Sequence, residues 1–532
     1  MNSTSTYLSY KQTGCFTNTI IDYIDANEKL IKFTAHPVSM EGVKSAIEAR
    51  KHYNTDRKLL VEVLKKQYAS ITSAGKVKSN IDLLLKENTF TITTAHQPVI
   101  FTGPLYFIYK ILHVIRLASL FNDAIPGNHF VPVFYMGSED ADLDELGHIY
   151  IEGEKQEWKT NQEGAVGRMK VDEALIKIIE KVSGQLLVHP FGEEIIHLVK
   201  EFYIEGISIE QATFKFVHHL FAEYGLLILL PDNEELKRSF IPVMKRELTE
   251  EFSHQAVEET IAMFPKIYNA QASGRQLNLF YLDENKRERI ERKEENWSVV
   301  GTDIRLSKDQ LLTELNTHPE RFSPNVILRP VFQEMILPNI VFIGGGGEIA
   351  YWLELKKVFE ETKVPFPLMV LRNSFMIVPG SLRQIIYKLE LKTTDLFRNE
   401  MDLLNELVKR DSKVELSIEK EKEQLKKIYQ EIRDAALKAD NSLAKHTETL
   451  QAKALQKIET LEKKMLKAER KRFEAQQRQL HKMRSLLFPN NGLQERIDNL
   501  LIYYSKWGNE FIKMIYKHSK GLEQEFCVII EK

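Results

Sequence analysis

The segment Thr91–Arg116, TITTAHQPVIFTGPLYFIYKILHVIR, changes character twice. Phe90 to Thr94 is β-branched and aromatic, as a buried strand would be; Ala95 to Gly103 is polar or turn-forming; Pro104 then opens an apolar helix to Phe121. A strand feeding a helix N-terminus is where open α/β sheets receive phosphates or carboxylates, because the first helical N–H groups lack partners and carry partial positive charge. His96, Gln97, Thr102 and Gly103 sit on that loop.

The same rhythm continues downstream. His129 to Met136 reads as a second strand and runs into GSEDADLDELG; Leu226 to Leu230 is an apolar run closed by Pro231-Asp232-Asn233; Val326 to Leu328, Ile340 to Ile343 and Leu368 to Leu371 read as further strands. A helix is expected from Glu348 to Glu361, and no strands look joined by two-residue hairpins. The expected fold class is α/β, a Rossmann-like, doubly wound, mostly parallel sheet over residues 88–380, with insertions near 149–205 and 250–323. The first insert looks like a small β unit at Ile149 to Val171. The second holds a strand at Leu277 to Tyr281 and a charged turn at Asp283 to Glu295. Residues 1–87 read as a helical segment packing on that core, with a Gly/Ser turn between Tyr68 and Lys78.

After Pro379-Gly380 the composition shifts. Ser381 to Leu487 contains neither proline nor glycine and is dominated by Lys, Glu, Gln, Leu and Ala, so long helices follow from propensity. An apolar seam from Leu425 to Ala468 steps by three and four, the coiled-coil rhythm, so 381–488 reads as a coiled coil. Asp440-Asn441-Ser442 suits a reversal, giving an antiparallel hairpin with arms of roughly 60 Å; one unbroken helix is the competing arrangement. Residues 489–532 return to helices expected to pack on the core.

A chain of 532 residues supports two or three structural units. Lys+Arg at 73 against Asp+Glu at 75 leaves a formal net charge of -2, which argues against a nucleic-acid or anionic-membrane partner. No window of about 18 uncharged apolar residues occurs, so a soluble, cytoplasmic protein is expected. Cys15 and Cys527 are too few for a Cys-rich zinc cage.

In a parallel sheet the C-terminal strand ends open on one edge, so four distant loops can converge: Ala95 to Gly103, Gly137 to Gly147, Gly344 to Glu348, and Arg372-Asn373. His96 can touch a ligand there and donate to a phosphoryl oxygen, or be an ordinary hydrogen-bonded histidine. Glu139, Asp140 and Asp142 can bind magnesium, hold an ammonium or act as a base, whereas Asp144 and Glu145 read as a solvated turn. Gly344, Gly345, Gly346 and Gly347 let backbone approach a ligand before Glu348 starts a helix, without matching a known phosphate fingerprint. Arg329 and Arg372 can each clamp a carboxylate or phosphate, or form structural ion pairs.

Four segments, TAHQPVIFTGPLYFIYKI, PVFYMGSEDADLDELGHI, RFSPNVILRPVFQEMILPNIVFIGGGGEIAYW and LFPNNGLQERIDN, together resemble the cysteine ligase family of bacillithiol biosynthesis. That family has a Rossmann-type core related to class I aminoacyl-tRNA synthetases and a C-terminal coiled coil. The resemblance implies addition of L-cysteine to glucosaminyl-malate, with ATP supplying activation through an acyl-adenylate and magnesium as an accompanying ion. His96-Gln97-Pro98 and Thr102-Gly103-Pro104 fall where synthetases keep an ATP motif. His96 and the Thr102 and Gly103 amides would then stabilise phosphate charge, Glu139, Asp140 or Asp142 would accept the amine proton, and Arg329 or Arg372 would hold malate carboxylates. Gln333 and Tyr351, inside the matched segments, join the candidate binding residues. Ala141 stands where the family usually has histidine, Gly346 where it usually has proline, and no synthetase-like lysine loop precedes Pro379. No metal ligands are proposed by spacing. The seam after Ser381 suggests a homodimer. A coiled-coil interaction protein with a ligand-binding core, or a transferase using a pre-activated cysteine donor, are the rival readings.

Overall fold

The computed structural model describes residues 3–71, 75–271 and 274–532. Part of the turn expected between Tyr68 and Lys78, residues 72–74, lies outside the described residues. The chain divides into two compact units, residues 1–376 with 492–529, and residues 377–491 with 530–532.

The first unit is built on five parallel strands: β1 (Thr89–His96), β2 (His129–Met136), β3 (Leu227–Leu229), β4 (Asn339–Gly344) and β5 (Leu368–Leu371). Their order is β5-β4-β1-β2-β3, so the winding reverses between β1 and β4. Every residue of β1 is buried, as a central parallel strand covered on both faces requires. The helix α1 (Tyr106–Ala124) and the helix Met40–Lys51 bury Val114, Leu117, Ala118 and Phe121, and Val43, Ala46 and Ile47, in the core that contains Phe90, Ile92, Val341 and Val370.

The face of β1 that carries Thr91 and Thr93 is polar, and its hydroxyls must find partners. Both donate to Asn339 Oδ1, at 3.2 and 2.8 Å, while Asn339 Nδ2 donates to Glu334 Oε1 at 2.8 Å. Arg50 closes the chain, donating to Glu334 Oε2 at 2.8 Å and to its carbonyl at 2.7 Å. Residues far apart in sequence are thereby tied beneath the strands that flank the reversal point.

Four expectations change, among them the absence of two-residue hairpins. Val326–Leu328 is a turn, because Asn325 Oδ1 accepts from Ile327 N at 2.8 Å and leads into the helix α2 (Arg329–Ile336). The strand lies just before it, Phe322–Pro324, and belongs to the second insert. That insert is a five-stranded antiparallel sheet in which the supposed charged turn is the strand Lys286–Lys293, joined to Leu279–Asp283 and Asn296–Val299 by two-residue hairpins. The first insert contains a third such hairpin, His148–Ile151 with Glu154–Glu157, followed by helices. Residues 1–87 are not wholly helical: Ser3–Ser9 is a strand in a sheet with Glu525–Glu531 and Ser374–Val378.

In the second unit α4 (Glu419–Ala439) and α5 (Leu443–Arg470) form the antiparallel hairpin, reversing at 440–442. Lys422 Nζ meets Glu462 at 2.6 Å and Arg433 Nε meets Glu448 at 3.2 Å, which fixes the antiparallel register. The arms are about 32 and 42 Å long at 1.5 Å per residue, shorter than expected. The first arm is shortened at 412–418, where no glycine or proline stands but Ser412 Oγ accepts from Val414 N at 3.0 Å and replaces a helical hydrogen bond, and the second ends where the 3₁₀ turn Lys471–Phe473 interrupts the helix. Among the described residues no helix is long and apolar enough to cross a membrane.

Candidate functional site

At the C-terminal ends of β1, β2 and β4, where the strand order reverses, lies a cavity of about 590 Å³. Open α/β sheets bind ligands at this place because loops diverge there and leave a crevice. The four loops expected to converge all reach it. β1 contributes His96 and Gln97, the β2 loop Glu139 and Asp140, and the helix α3 (Gly346–Leu353) contributes Gly346, Gly347, Glu348 and Tyr351 with Gly345 before it. Arg372 follows β5, and Arg329 begins α2 instead of ending a strand. The second insert closes the opposite wall with Arg275, Phe280 and Arg287, and Arg496 arrives from the C-terminal segment.

His96 is buried at the end of β1. Its Nδ1 lies 3.1 Å from the Gln97 carbonyl, which can only accept, so Nδ1 carries the proton and Nε2 is left as an acceptor, 3.3 Å from the Tyr106 hydroxyl. Burial, with Lys110 nearby, pushes the imidazole down to about 3, so it is neutral at physiological pH. A neutral His96 in this tautomer has no N–H to offer a phosphoryl oxygen; it orients Tyr106. His113, one helical face further along α1, is pushed down to about 4, by burial first, and donates to the Gly521 carbonyl at 2.8 Å.

Lys110, like Arg275, Arg287 and Arg496, is a cavity residue that the sequence did not single out. It is 3% exposed, donates to the Ala95 carbonyl at 2.9 Å and forms an ion pair with Glu348. Burial lowers its pKa against the opposing pull of Glu348. Burial works to raise the Glu348 carboxyl, but Lys110 and the Gly345 N–H, which donates at 2.8 Å, hold it below its ordinary range. A signal was present: Tyr106, Lys110 and His113 form an i, i+4, i+7 polar stripe on an otherwise apolar helix.

The two arginines differ. Arg372 spends its fork on Glu495, at 2.9 and 2.7 Å, and is a structural ion pair with one edge on the cavity. Arg329 has neutral hydrogen-bond partners, donating to Gln333 Oε1 at 3.1 Å and to the Tyr351 hydroxyl at 2.9 Å, and among the described residues it has no ion-pair partner, Glu348 acting on it only at longer range. Six cationic side chains, Lys110, Arg275, Arg287, Arg329, Arg372 and Arg496, thus face four carboxylates, Glu139, Asp140, Glu145 and Glu348, which makes the cavity suited to anions. Glu139 is raised by burial although it pairs with Lys237, itself bound to Asp232 at 2.9 Å. Asp140 accepts from Gln97 Nε2 at 3.0 Å and lies 3.8 Å from Arg287.

Six of the singled-out residues stand outside the cavity lining. The Thr102 and Gly103 amides donate to the carbonyls of Val99 and Ile100, at 3.1 and 3.0 Å, and so are not available to a phosphate. Gly103 is at φ 58°, and a Cβ there would lie 2.6 Å from Val99 Cγ1. Asp142 caps the short helix Leu143–Leu146, accepting from Glu145 N at 3.0 Å. Gln333 sits behind Arg329, Gly344 ends β4 within the sheet, and Asn373 accepts from Lys520 N at 3.0 Å. Ala141 also lies off the lining, and a Cβ on Gly346 would meet Ile20 at 3.2 Å, leaving little room for a larger residue there.

The residues present fit a polyanionic nucleotide in charge, with the Gly346 and Gly347 end of α3 and Lys110 on one wall. Among the described residues no three His, Cys, Asp or Glu side chains are grouped to hold a metal ion.

The neutral histidines have a consequence for stability. His96 and His113 stay unprotonated in the fold to about 3 and 4, whereas unfolded histidine takes up a proton near 6.5. The unfolded chain binds more protons below pH 6.5, so stability falls as pH drops toward 4, by up to about 1.4 kcal/mol per pH unit for each group. His113→Gln is expected to flatten that slope by one proton in urea titrations at pH 6.5, 5.5 and 4.5; an unchanged slope would show that His113 is protonated in the fold.

Residues 3–373 match the family described as "Bacillithiol biosynthesis BshC, N-terminal Rossmann-like domain", and residues 375–531 match its "C-terminal coiled-coil domain". Similar proteins named "Putative cysteine ligase BshC" occur in Flavobacterium johnsoniae, 38% identical over 98% of this chain and 99% of the relative, and in Flavobacterium psychrophilum, 38% identical over 98% of each. Another in Christiangramia forsetii is 36% identical over 98% of each chain. With both halves matched in order and relatives aligned nearly end to end, this chain belongs to the BshC family of bacillithiol biosynthesis.

Proposed function

We propose that this chain is a cysteine ligase that joins L-cysteine to glucosaminyl-malate in an ATP-dependent reaction, forming bacillithiol. The observation that carries the reading is a cavity at the strand-order reversal with an excess of cations around a buried neutral histidine. An amide from a carboxylate and an amine needs an oxygen of the carboxylate converted into a leaving group, and ATP supplies that group. Lys110 and the N-terminal end of α3 would hold phosphate charge, and Tyr106, fixed by His96, would orient the reacting carboxyl group. Arg329 would hold a malate carboxylate, since its own partners are uncharged. Glu139, raised by burial, would take the proton that the sugar amine loses as its nitrogen bonds to the acyl carbon. Magnesium would enter on the phosphates of ATP with one or two carboxylates, Asp140 among them.

Purified protein given L-cysteine, ATP, magnesium and glucosaminyl-malate is expected to yield the amide product by mass, with ATP consumed. No product under any nucleotide condition would remove the reading, and product without ATP consumption would replace it by transfer from an activated donor. Pairing of two copies through the helical hairpin is part of the proposal: Ile428, Ile432, Leu450 and Leu461 of the seam are exposed on a single chain. Sedimentation that finds only the monomer mass would dismiss the pairing.

A further inference from the structure

Beside the main cavity lies a smaller one of about 180 Å³, and the two share Tyr106, Glu145 and Arg496. Those three residues form the boundary between the spaces. Besides them the smaller cavity is lined by Val99, Ile149 and Ile497, with Pro104, His148 and Tyr150 completing it; Val99 and Ile149 are each 2% exposed and so held in place by packing. At the boundary the charges are of opposite sign, and among the described residues neither the Glu145 carboxylate nor the Arg496 guanidinium has an ion-pair partner.

One carboxylate, one guanidinium and an aliphatic floor match an α-amino acid in its zwitterionic form, with ammonium and carboxylate at the mouth and a short side chain below. We propose that this side cavity is the subsite for a small zwitterionic α-amino acid, its ammonium on Glu145, its carboxylate on Arg496 and its side chain against Val99, Ile149 and Ile497. The identity of that amino acid, L-cysteine, rests on the ligase reading. The arrangement sets the carboxylate beside Tyr106, whose hydroxyl is 3.3 Å from His96 Nε2, so it opens on the main cavity where the amine must arrive. It also accounts for selection of cysteine without a zinc ligand. A thiol enters beside Val99, Ile149 and Ile497 at little cost, whereas a hydroxyl loses water that only His148 or Tyr150 on the same lining could replace.

The test is calorimetric titration of L-cysteine into the full chain, with and without a non-hydrolysable ATP analogue, beside steady-state kinetics. Glu145 and Arg496 are exposed, so Glu145→Gln and Arg496→Met should fold normally. Each is expected to weaken cysteine binding roughly tenfold or more and to raise the KM for cysteine more than the KM for glucosaminyl-malate. Ile497→Ala is expected to improve L-methionine relative to L-cysteine, and L-serine should bind the wild type more weakly than L-cysteine. Wild-type affinity in both charge variants, or no cysteine binding by the wild type in either condition, overturns the proposal. The two readings fail separately. Cysteine binding that the variants weaken, with no product formed, keeps the subsite and removes the ligase; product formed with an unchanged KM for cysteine does the reverse.

Discussion

Lys110→Met is expected to lower kcat/KM by roughly 10²–10³-fold, the loss seen when one preorganised electrostatic group is removed from a site. The lysine is fixed by the Ala95 carbonyl and Glu348, on a helix packed against the sheet, so its charge needs little reorganisation to meet a phosphate. The single variant also leaves the Glu348 carboxylate without its cation, which costs stability as well as activity. The double variant Lys110→Met with Glu348→Gln separates the two effects. It removes both charges and is expected to regain most of the stability while staying catalytically impaired. Wild-type turnover in the double variant would show that the pair is structural and that the phosphate wall lies elsewhere in the cavity.

That lysine also marks the limit of what the sequence disclosed. The sheet was legible because strands buried on both faces are continuous apolar runs: His129 to Met136, Leu226 to Leu230 and Ile340 to Ile343 all fall on observed strands or contain them. Convergence of the loop ends followed from parallel topology. What failed were places where side-chain chemistry overrode the local pattern. Ile327 and Leu328 look like strand residues, but Asn325 captures their N–H groups and turns the chain. Arg287 was lost inside a stretch that looked like a charged turn, although strand pairing with Leu282 carries it into the cavity wall, 4.0 Å above the Phe280 ring. Thr102 and Gly103 matched a motif position, yet their amides close a 3₁₀ turn, and Asn499, about four hundred residues later, holds the carbonyl of Gly103 at 2.6 Å. No local pattern encodes a partner that distant.

Arg50→Met is expected to destabilise the first unit by about 3–5 kcal/mol, because it strands the Glu334 carboxylate in the core. Both side chains are essentially inaccessible, 1% and 0% exposed, so solvent cannot replace the lost guanidinium. Glu334→Gln leaves the Arg50 guanidinium without its counter-ion, yet it should cost less, because the backbone carbonyls of Glu334 and Pro365 still accept from Arg50 and the new amide oxygen can still accept from Asn339 or Gln333. All four tryptophans, Trp158, Trp297, Trp352 and Trp507, lie in the first unit, so their fluorescence during urea unfolding reports on that unit alone. A loss below about 1 kcal/mol for Arg50→Met, the range of an exposed ion pair, would mean that Glu334 is protonated in the fold. The effect should reach the site. Glu334 Oε1 accepts from Gln333 Nε2 at 2.9 Å, and the Gln333 carbonyl oxygen in turn holds Arg329. An amide there, where a carboxylate would have neutralised the guanidinium, leaves Arg329 charged for an anion, and Glu334 fixes which way that amide points. A Glu334 variant stable enough to assay should therefore raise the KM for the anionic sugar substrate more than it lowers kcat, because the charge of Arg329 survives while its aim is lost.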